Sequence, residues 1–495
     1  MDQLELLSGL QIGELVNSGE LSPVEVIKYF QDRIERRNPS INAFVYEKFD
    51  EAIEEAKQLE QKLRVITPLE RKISYPFAGV PIGLKDFLPS KKGWMNSHGG
   101  VKSLIREDDA DSQFYKAAHN MGAIAIGKTN APPFGFKGTC DNALYGPTRN
   151  PFNTMYNSGG SSGGTAAAVA DGLIPFGEGG DAGGSIRIPA SWCNCFGFKA
   201  SVGTIPSVCR PDAWAATHPY CCNGAITRTV RDSVGMLMGM AEYNPLDPYS
   251  VRSKTATLLD DVERSIDWMH IGVTSDFGIF PTDPDIATRI DVAAIDLERE
   301  AGAHVDLVFP HFKHTLDEFA KCWCWTISVD TALDLDRWKY EDGLDLVRDH
   351  RDELTEEFIL WNEVAARATI FDLRKFNEIR TDVLDTFEHM FKYFDVICAP
   401  VSCCMPLTNE SNGHATDIGL NPETDFISFA ETFMINFVGY PAASVPVGLI
   451  NGMPVGMQII GKKYHDLDVL KVARTIEKIS PWTKYYDIAY GRKLR

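Results

Sequence analysis

The residue pattern predicts an α/β fold, a large mixed β-sheet covered by helices on both faces. Three observations carry this reading. Residues 77–84 form an apolar, β-competent run, residues 112–121 read as a helix, and residues 123–127 return as a second buried strand. Strand, helix, strand is the rhythm of a parallel sheet. Further strands are expected at 270–274, 305–308, 396–399, 443–447 and 454–460.

Taken in order, the chain opens with helical patterning over residues 4–61, in which Ser22-Pro23 marks a helix start because proline is tolerated in a first turn. Lys85 then falls where the buried strand 77–84 ends. The organising stretch is residues 157–201. Two glycine-rich loops, Gly159-Gly160-Ser161-Ser162-Gly163-Gly164 and Gly179-Gly180-Asp181-Ala182-Gly183-Gly184-Ser185, flank an alanine-rich segment, 165–172, whose composition favours helix. Helix, short strand, loop is the coarse order there. Glycines at this density let backbone N–H groups converge on a bound group and set a serine hydroxyl beside them.

Two nucleotide- and hydrolase-type motifs compete for this stretch. A Walker A loop needs Lys-Ser/Thr after its glycines, whereas Thr165 follows Gly164 with no lysine between. Gly159-Gly160-Ser161-Ser162-Gly163 also fits the G-x-S-x-G elbow of α/β-hydrolases, a short pattern that arises by chance in Gly/Ser-rich sequence. The neighbourhood decides between them. A second serine, Ser185, follows Gly183-Gly184, and Val80-Pro81-Ile82-Gly83-Leu84-Lys85-Asp86 lies upstream.

This constellation resembles the amidase signature family of Ser-Ser-Lys hydrolases. Gly127-Lys128-Thr129-Asn130, Gly146-Pro147-Thr148-Arg149-Asn150-Pro151 and Gly439-Tyr440-Pro441-Ala442-Ala443-Ser444-Val445-Pro446 extend the resemblance over nearly the whole chain, leaving only about residues 250–380 weakly patterned. Departures occur at Gly180, where threonine is usual, and in Gly197-Phe198-Lys199-Ala200, where G-L-K-P is usual. The resemblance implies the family's fold, and amide hydrolysis through an acyl-enzyme without metal or organic cofactor. It also implies Ser185 as nucleophile, Ser161 as a bridging serine on a cis peptide after Gly160, and Lys85 as base.

The chemistry of these residues agrees. A serine hydroxyl is a weak nucleophile at neutral pH and needs a base within hydrogen-bond reach. A lysine accepts a proton only when neutral, and burial at the end of an apolar strand drives it there. Backbone N–H groups around Ala182, Gly183, Gly184 and Ser185 are the expected oxyanion donors, Asp181 the anchor of their loop, and Ser162 a further hydrogen-bonding group near the substrate. Phe134-Gly135-Phe136 resembles a loop lining the family's acyl pocket, which nominates Gly135 and Phe136 for substrate contact.

Composition bounds the rest. The 495 residues show no Pro/Ser-rich linker, repeat or low-complexity run, so one domain over 1–495 is expected, with a variable substrate wall at about 250–380. Hydrophobic content of 44% is ordinary for a chain that buries a core. A net charge of −19 argues against a nucleic-acid partner. Acidic residues in Met1-Asp2-Gln3-Leu4-Glu5, and no apolar run of about twenty residues, argue against a signal peptide or membrane span and for the cytoplasm. Eleven cysteines, lacking finger-like spacing, read as buried free thiols, and His311 and His314 as surface histidines. The resemblance also implies a homodimer.

Substrate class rests on aromatics. Trp323, Trp325, Trp338, Phe358 and Trp361 crowd one segment, either as core or as the wall of a cleft. A wall of this kind favours amides, anilides or carbamates with an aromatic or bulky apolar group. The competing assignment within the family is the glutaminase-type component of a tRNA-dependent amidotransferase, which passes released ammonia to a partner. Its usual Leu-Gly-Thr-Tyr-Ala-Leu-Ser stretch is not matched by residues 362–370. An α/β-hydrolase-type esterase is a further alternative, and a catalytically dead binding protein is disfavoured by the intact set of Lys85, Ser161 and Ser185.

Overall fold

The structure is a computed structural model that describes residues 3–215 and 219–494; Met1 and Asp2 of the acidic start, Ala216 to His218, and Arg495 lie outside them. Eleven strands form one mixed sheet. In chain order they are β1 (Phe44–Glu47), β2 (Pro81–Lys85), β3 (Ile124–Thr129), β4 (Phe176–Asp181), β5 (Phe196–Lys199), β6 (Cys222–Thr227), β7 (His270–Val273), β8 (His304–Leu307), β9 (Val396–Pro400), β10 (Ala442–Ile450) and β11 (Met453–Gly461). Their spatial order is β1-β3-β2-β4-β6-β5-β10-β11-β9-β7-β8. The pairs β3–β2 and β2–β4 are parallel, as are β9–β7 and β7–β8, while the centre from β4 through β11 to β9 is antiparallel.

The mixed sheet and its flanking helices match the expectation from the residue pattern. The five later strands expected from the sequence are all present, each within a few residues of its expected bounds. The amino-terminal helical run, however, is broken. Helices α1 (Gly9–Ser18), α2 (Pro23–Ile41) and α3 (Phe49–Arg64) are interrupted by β1. Four residues add too short an alternation to register against flanking helices, and only pairing with β3 makes Phe44–Glu47 a strand. The start at Ser22-Pro23 is a capping box: Ser22 accepts from Glu25 N–H while the Glu25 carboxylate takes Ser22 N–H. Strands β5 and β6 are not among the expected ones either: β5 lies at the end of the glycine-rich stretch, and β6 follows it.

Burial separates into two clusters. One lies along the sheet and its helices; Ile82, Ile126, Phe176, Ile226, Val445 and Ile459 belong to it. The second is rich in aromatic rings and gathers Phe134, Phe136, Trp323, Trp338, Phe358 and Phe426. All eleven cysteines are free and most are buried, as their spacing suggests. His314 is partly exposed and bonds Asp382 through Nδ1 at 2.8 Å. No helix among the described residues is long and apolar enough to cross a membrane.

Candidate active site

Lys85 is the last residue of β2, where β2 and β4 stop pairing after Ile82/Phe176 and Gly83/Gly177. Parallel strands that part at their carboxyl ends open a crevice, the usual place for a ligand in an α/β sheet. The first glycine loop crosses this crevice and ends in α4 (Gly163–Ala170), and β4 feeds the second loop into α5 (Arg187–Trp192). Helix α4 is buried throughout, so its small residues serve close approach. A Cβ on Gly164 would stand 2.3 Å from Asn130 N, and one on Gly163 2.4 Å from Cys140 Cβ.

The Gly160–Ser161 peptide is cis, and Lys85 Nζ donates to Ser161 Oγ at 2.7 Å. Lys85 is 5% exposed and Ser161 2%. Burial pushes the Lys85 ammonium down to about 8, against the opposing pull of Cys140, Glu178 and Asp181. The two loops are tied together directly: Ser162 N donates to Ser185 O at 3.1 Å, and Ser162 Oγ accepts from Gly180 N at 3.3 Å. Ser162 is fully buried, and this loop-to-loop contact is the use its hydroxyl has. Ser185 is partly exposed, and among the described residues no hydrogen bond joins its hydroxyl to Ser161.

Asp181 holds the second loop. Its Oδ1 accepts from Gly184 N at 2.8 Å, Arg187 Nη2 at 2.8 Å and Asn436 Nδ2 at 3.0 Å, and Oδ2 from Arg187 Nε at 2.9 Å and Ile186 N at 3.3 Å. Burial alone would raise this carboxyl, but the Arg187 charge and these bonds hold it at about 2. Its oxygens are therefore committed to the loop rather than to a substrate. The expected set of oxyanion donors narrows for the same reason, because the Gly184 N–H points at Asp181. The amides of Ala182, Gly183 and Ser185 have no acceptor among the described residues. Gly184 is needed for shape instead: its φ is +126°, and a Cβ there would lie 2.0 Å from Thr432 Oγ1.

The hub at Arg187 was missed in the sequence, although Arg187 directly follows the second glycine loop and Ile186. Arg187 is fully buried and, besides Asp181, donates to Thr432 O at 3.0 Å, Asn436 Oδ1 at 2.6 Å and Gln458 Oε1. Thr432 Oγ1 in turn donates to Gly183 O at 2.7 Å. The partners come from residues some 250 positions away, so no local pattern announces them.

The aromatic segment divides between core and site. Helix α6 (Leu316–Glu341) starts on a capping box at Thr315 and Glu318. It is buried around its whole circumference over 322–326, which explains why no amphipathic stripe was legible. Trp325 packs on Phe376 with ring centres 4.2 Å apart. Trp361, on α7 (Glu356–Ala365), donates to Glu423 O at 2.9 Å. Those two fill the core. Trp323 instead donates from Nε1 to Ala182 O at 2.9 Å and lies so close over Gly183 that a Cβ there would stand 2.7 Å from the indole. Phe134 stacks on Phe358 at 4.7 Å and on Trp338 at 5.5 Å; Phe136 stacks on Phe426 at 5.6 Å and meets Trp323 at 6.0 Å. Gly135, between them, has φ +68°, and a Cβ there would lie 3.1 Å from Ser161 Oγ. The Phe134-Gly135-Phe136 loop therefore joins the aromatic cluster to the Lys85–Ser161 pair. Among the described residues, no group of three or more His, Cys, Asp or Glu comes together to hold a metal ion.

Similarity to known proteins covers this whole architecture. The solved structure of a bacterial aryl acylamidase of the amidase signature family superposes with a TM-score of 0.93 at 37% identity, over 99% of each chain. An acylamidase from Rhodococcus erythropolis is 29% identical over 484 residues, 97% of this chain and 96% of the relative. A glutamyl-tRNA(Gln) amidotransferase subunit from Exiguobacterium sibiricum is 31% identical over 483 residues, 94% and 95% of the two chains. The family model described as Amidase matches residues 25–470. The chain belongs to the amidase signature family and is an amide hydrolase acting on C–N bonds.

Proposed function

We propose that this chain hydrolyses carboxamides, anilides or carbamates carrying an aromatic or bulky apolar group, with Ser185 as nucleophile, Ser161 as proton relay and Lys85 as base. The observation that carries the mechanism is the buried 2.7 Å hydrogen bond from Lys85 to Ser161, set beside the loop of Ser185. Neutral Lys85 accepts the Ser161 proton as Ser161 accepts that of Ser185, and Ser185 Oγ bonds the carbonyl carbon. The hydroxyl of Ser185 comes into reach of Ser161 as substrate binds, since catalytic hydrogen bonds commonly tighten in the complex. The amides of Ala182, Gly183 and Ser185 receive the oxyanion, each worth roughly 3–4 kcal/mol by deletion. Collapse breaks the C–N bond, the proton returns through Ser161 to the departing amine, and water releases the acyl group from Ser185 by the same route.

Substrate class is supported by Trp323, whose indole lies over Gly183, and by the rings of Phe136 and Phe358 behind Gly135. The acylamidase and aryl acylamidase relatives point the same way. Residence in the cytoplasm and a homodimer complete the reading, with no nucleic-acid or membrane partner. The test is a fluorophosphonate probe followed by peptide mass, together with kcat/KM for an anilide and for glutamine. An adduct on Ser185 and preference for the anilide are expected. An adduct on Ser161 would reverse the two serines. Equal or better turnover of glutamine would favour a role like that of the glutamyl-tRNA(Gln) amidotransferase relative.

A further inference from the structure

A buried carboxyl group that the proposed mechanism does not use lies directly behind its base. Glu178 follows Gly177, the last residue of β4 that pairs with β2. Pairing between the two strands ends there; the Glu178 carbonyl accepts from Thr165 Oγ1 at 2.8 Å, and Thr165 is bonded in turn to Thr129 Oγ1 at 2.7 Å. Beyond the last paired residues the Lys85 N–H on the facing strand has no backbone acceptor from β4, and a buried donor left unpaired is costly. Glu178 Oε2 fills that vacancy, accepting from Lys85 N at 3.1 Å. A side chain thus replaces the main chain at the point where the two strands part.

We propose that Glu178 is a positioning residue for Lys85, fixing the main chain from which the lysine reaches Ser161 and setting, by its charge, the pH at which the lysine becomes a base. The proposal rests on Lys85 being the base. The groups that face the lysine are the carboxyls of Glu178 and Asp181, the thiols of Cys140 and Cys221, and the ring of Phe87. Asp181 is held ionised by Arg187, and burial pushes the Cys140 thiol up to about 12 and that of Cys221 up as well. Glu178 itself is pushed up to about 7 by burial, with Ser112, the Lys85 amide and the Lys128 ammonium pulling the other way. Among the groups facing Lys85 it is therefore the one whose charge changes in the working pH range. Its anionic form opposes the effect of burial on Lys85 and keeps the lysine from falling further.

The experiment compares E178Q, E178L and Lys85→Ala by the pH dependence of kcat/KM on an anilide. Gln keeps an acceptor for Lys85 N–H but removes the charge, so the acid limb of E178Q is expected to move down by roughly 0.5–1 pH unit. Leu removes the acceptor too, and its kcat is expected at least ten-fold below that of E178Q with KM the same. Should E178L fail to fold, E178D, too short to reach the amide, reads the same loss. An acid limb unmoved in E178Q, or equal kcat in E178Q and E178L, overturns the proposal. If Lys85→Ala abolishes the limb while E178Q leaves it in place, only the role of Glu178 falls. If Lys85→Ala retains the limb, the base has been misassigned, whatever Glu178 does.

Discussion

Replacing Lys85 by Met should abolish catalysis and stabilise the fold at the same time. The ammonium is pushed from its ordinary 10.5 down to about 8 by burial, which amounts to about 3 kcal/mol held against the folded state wherever the group is charged. Methionine fills similar space without charge but leaves Ser161 Oγ without its donor, a loss of about 1 kcal/mol. The net gain is about 2 kcal/mol below pH 8. For a chain of 495 residues unfolding as one unit this is about 2 °C in Tm. The sign follows from proton counting. Between pH 8 and 10.5 the unfolded chain holds a proton at this position that the native chain has lost, so rising pH stabilises the native protein and erodes the variant's advantage, which is gone before pH 10.5, where the lost hydrogen bond leaves the variant about 1 kcal/mol less stable. With Lys85 as the proposed base, activity of the unmutated protein should follow the same pKa with the opposite consequence. About a tenth of the lysine is neutral at pH 7 and about nine tenths at pH 9, so kcat/KM should rise about ten-fold between them. The assays are thermal melts of both proteins at pH 7 and 10.5, and a pH–rate profile on an anilide. A variant less stable at pH 7, a gain that persists at pH 10.5, or an acid limb near the histidine range would each refute the reasoning.

Three further outcomes are expected. Gly183→Ala places a methyl group 2.7 Å from the Trp323 indole and should lower kcat/KM for an anilide by at least ten-fold with Tm changed little; an unaffected rate would show that Trp323 does not bear on the site. Iodoacetamide at pH 7.5 and EDTA should both leave hydrolysis intact, since burial pushes thiols such as Cys140 and Cys195 up to about 12 and no step of the proposed mechanism uses a metal; inactivation that substrate protects against, or that zinc restores, would count against this. His414 bridges Glu357 at 2.5 Å and Asp425 at 2.6 Å, and although burial lowers its pKa the two carboxylates raise it above the ordinary 6.5. Its contribution is present below 6.5 and lost as pH rises through the raised value. His414→Gln should therefore lower Tm more at pH 6 than at pH 9, and an equal loss at both would exclude the ion pair as the cause.

Certain features of this protein were decided locally and could be read from the chain. A strand of residues buried on both faces is apolar whatever surrounds it, so β2 and β3 announced themselves, and with them the position of Lys85. The glycines of the two loops are dictated by contacts closer than a Cβ permits, at Gly164 against Asn130 and at Gly184 against Thr432, and such constraints leave a permanent mark in sequence. The capping box at Ser22 and Glu25 is equally local. What the sequence did not contain is anything whose partner lies far along the chain. The commitment of the Gly184 amide to Asp181, and of Asp181 to Arg187, Asn436 and, through Arg187, Gln458, depends on β4, β11 and the segment before β10 meeting in one place. The division of the tryptophans has the same origin. Trp323 and Trp325 are two residues apart on one helix, and a helix turns about 200° over that interval, so one indole lies over Gly183 and the other packs on Phe376. Composition makes both of them aromatic and buried, and only the packing of α6 against α7 and the other helices beside it decides which of them meets the second glycine loop.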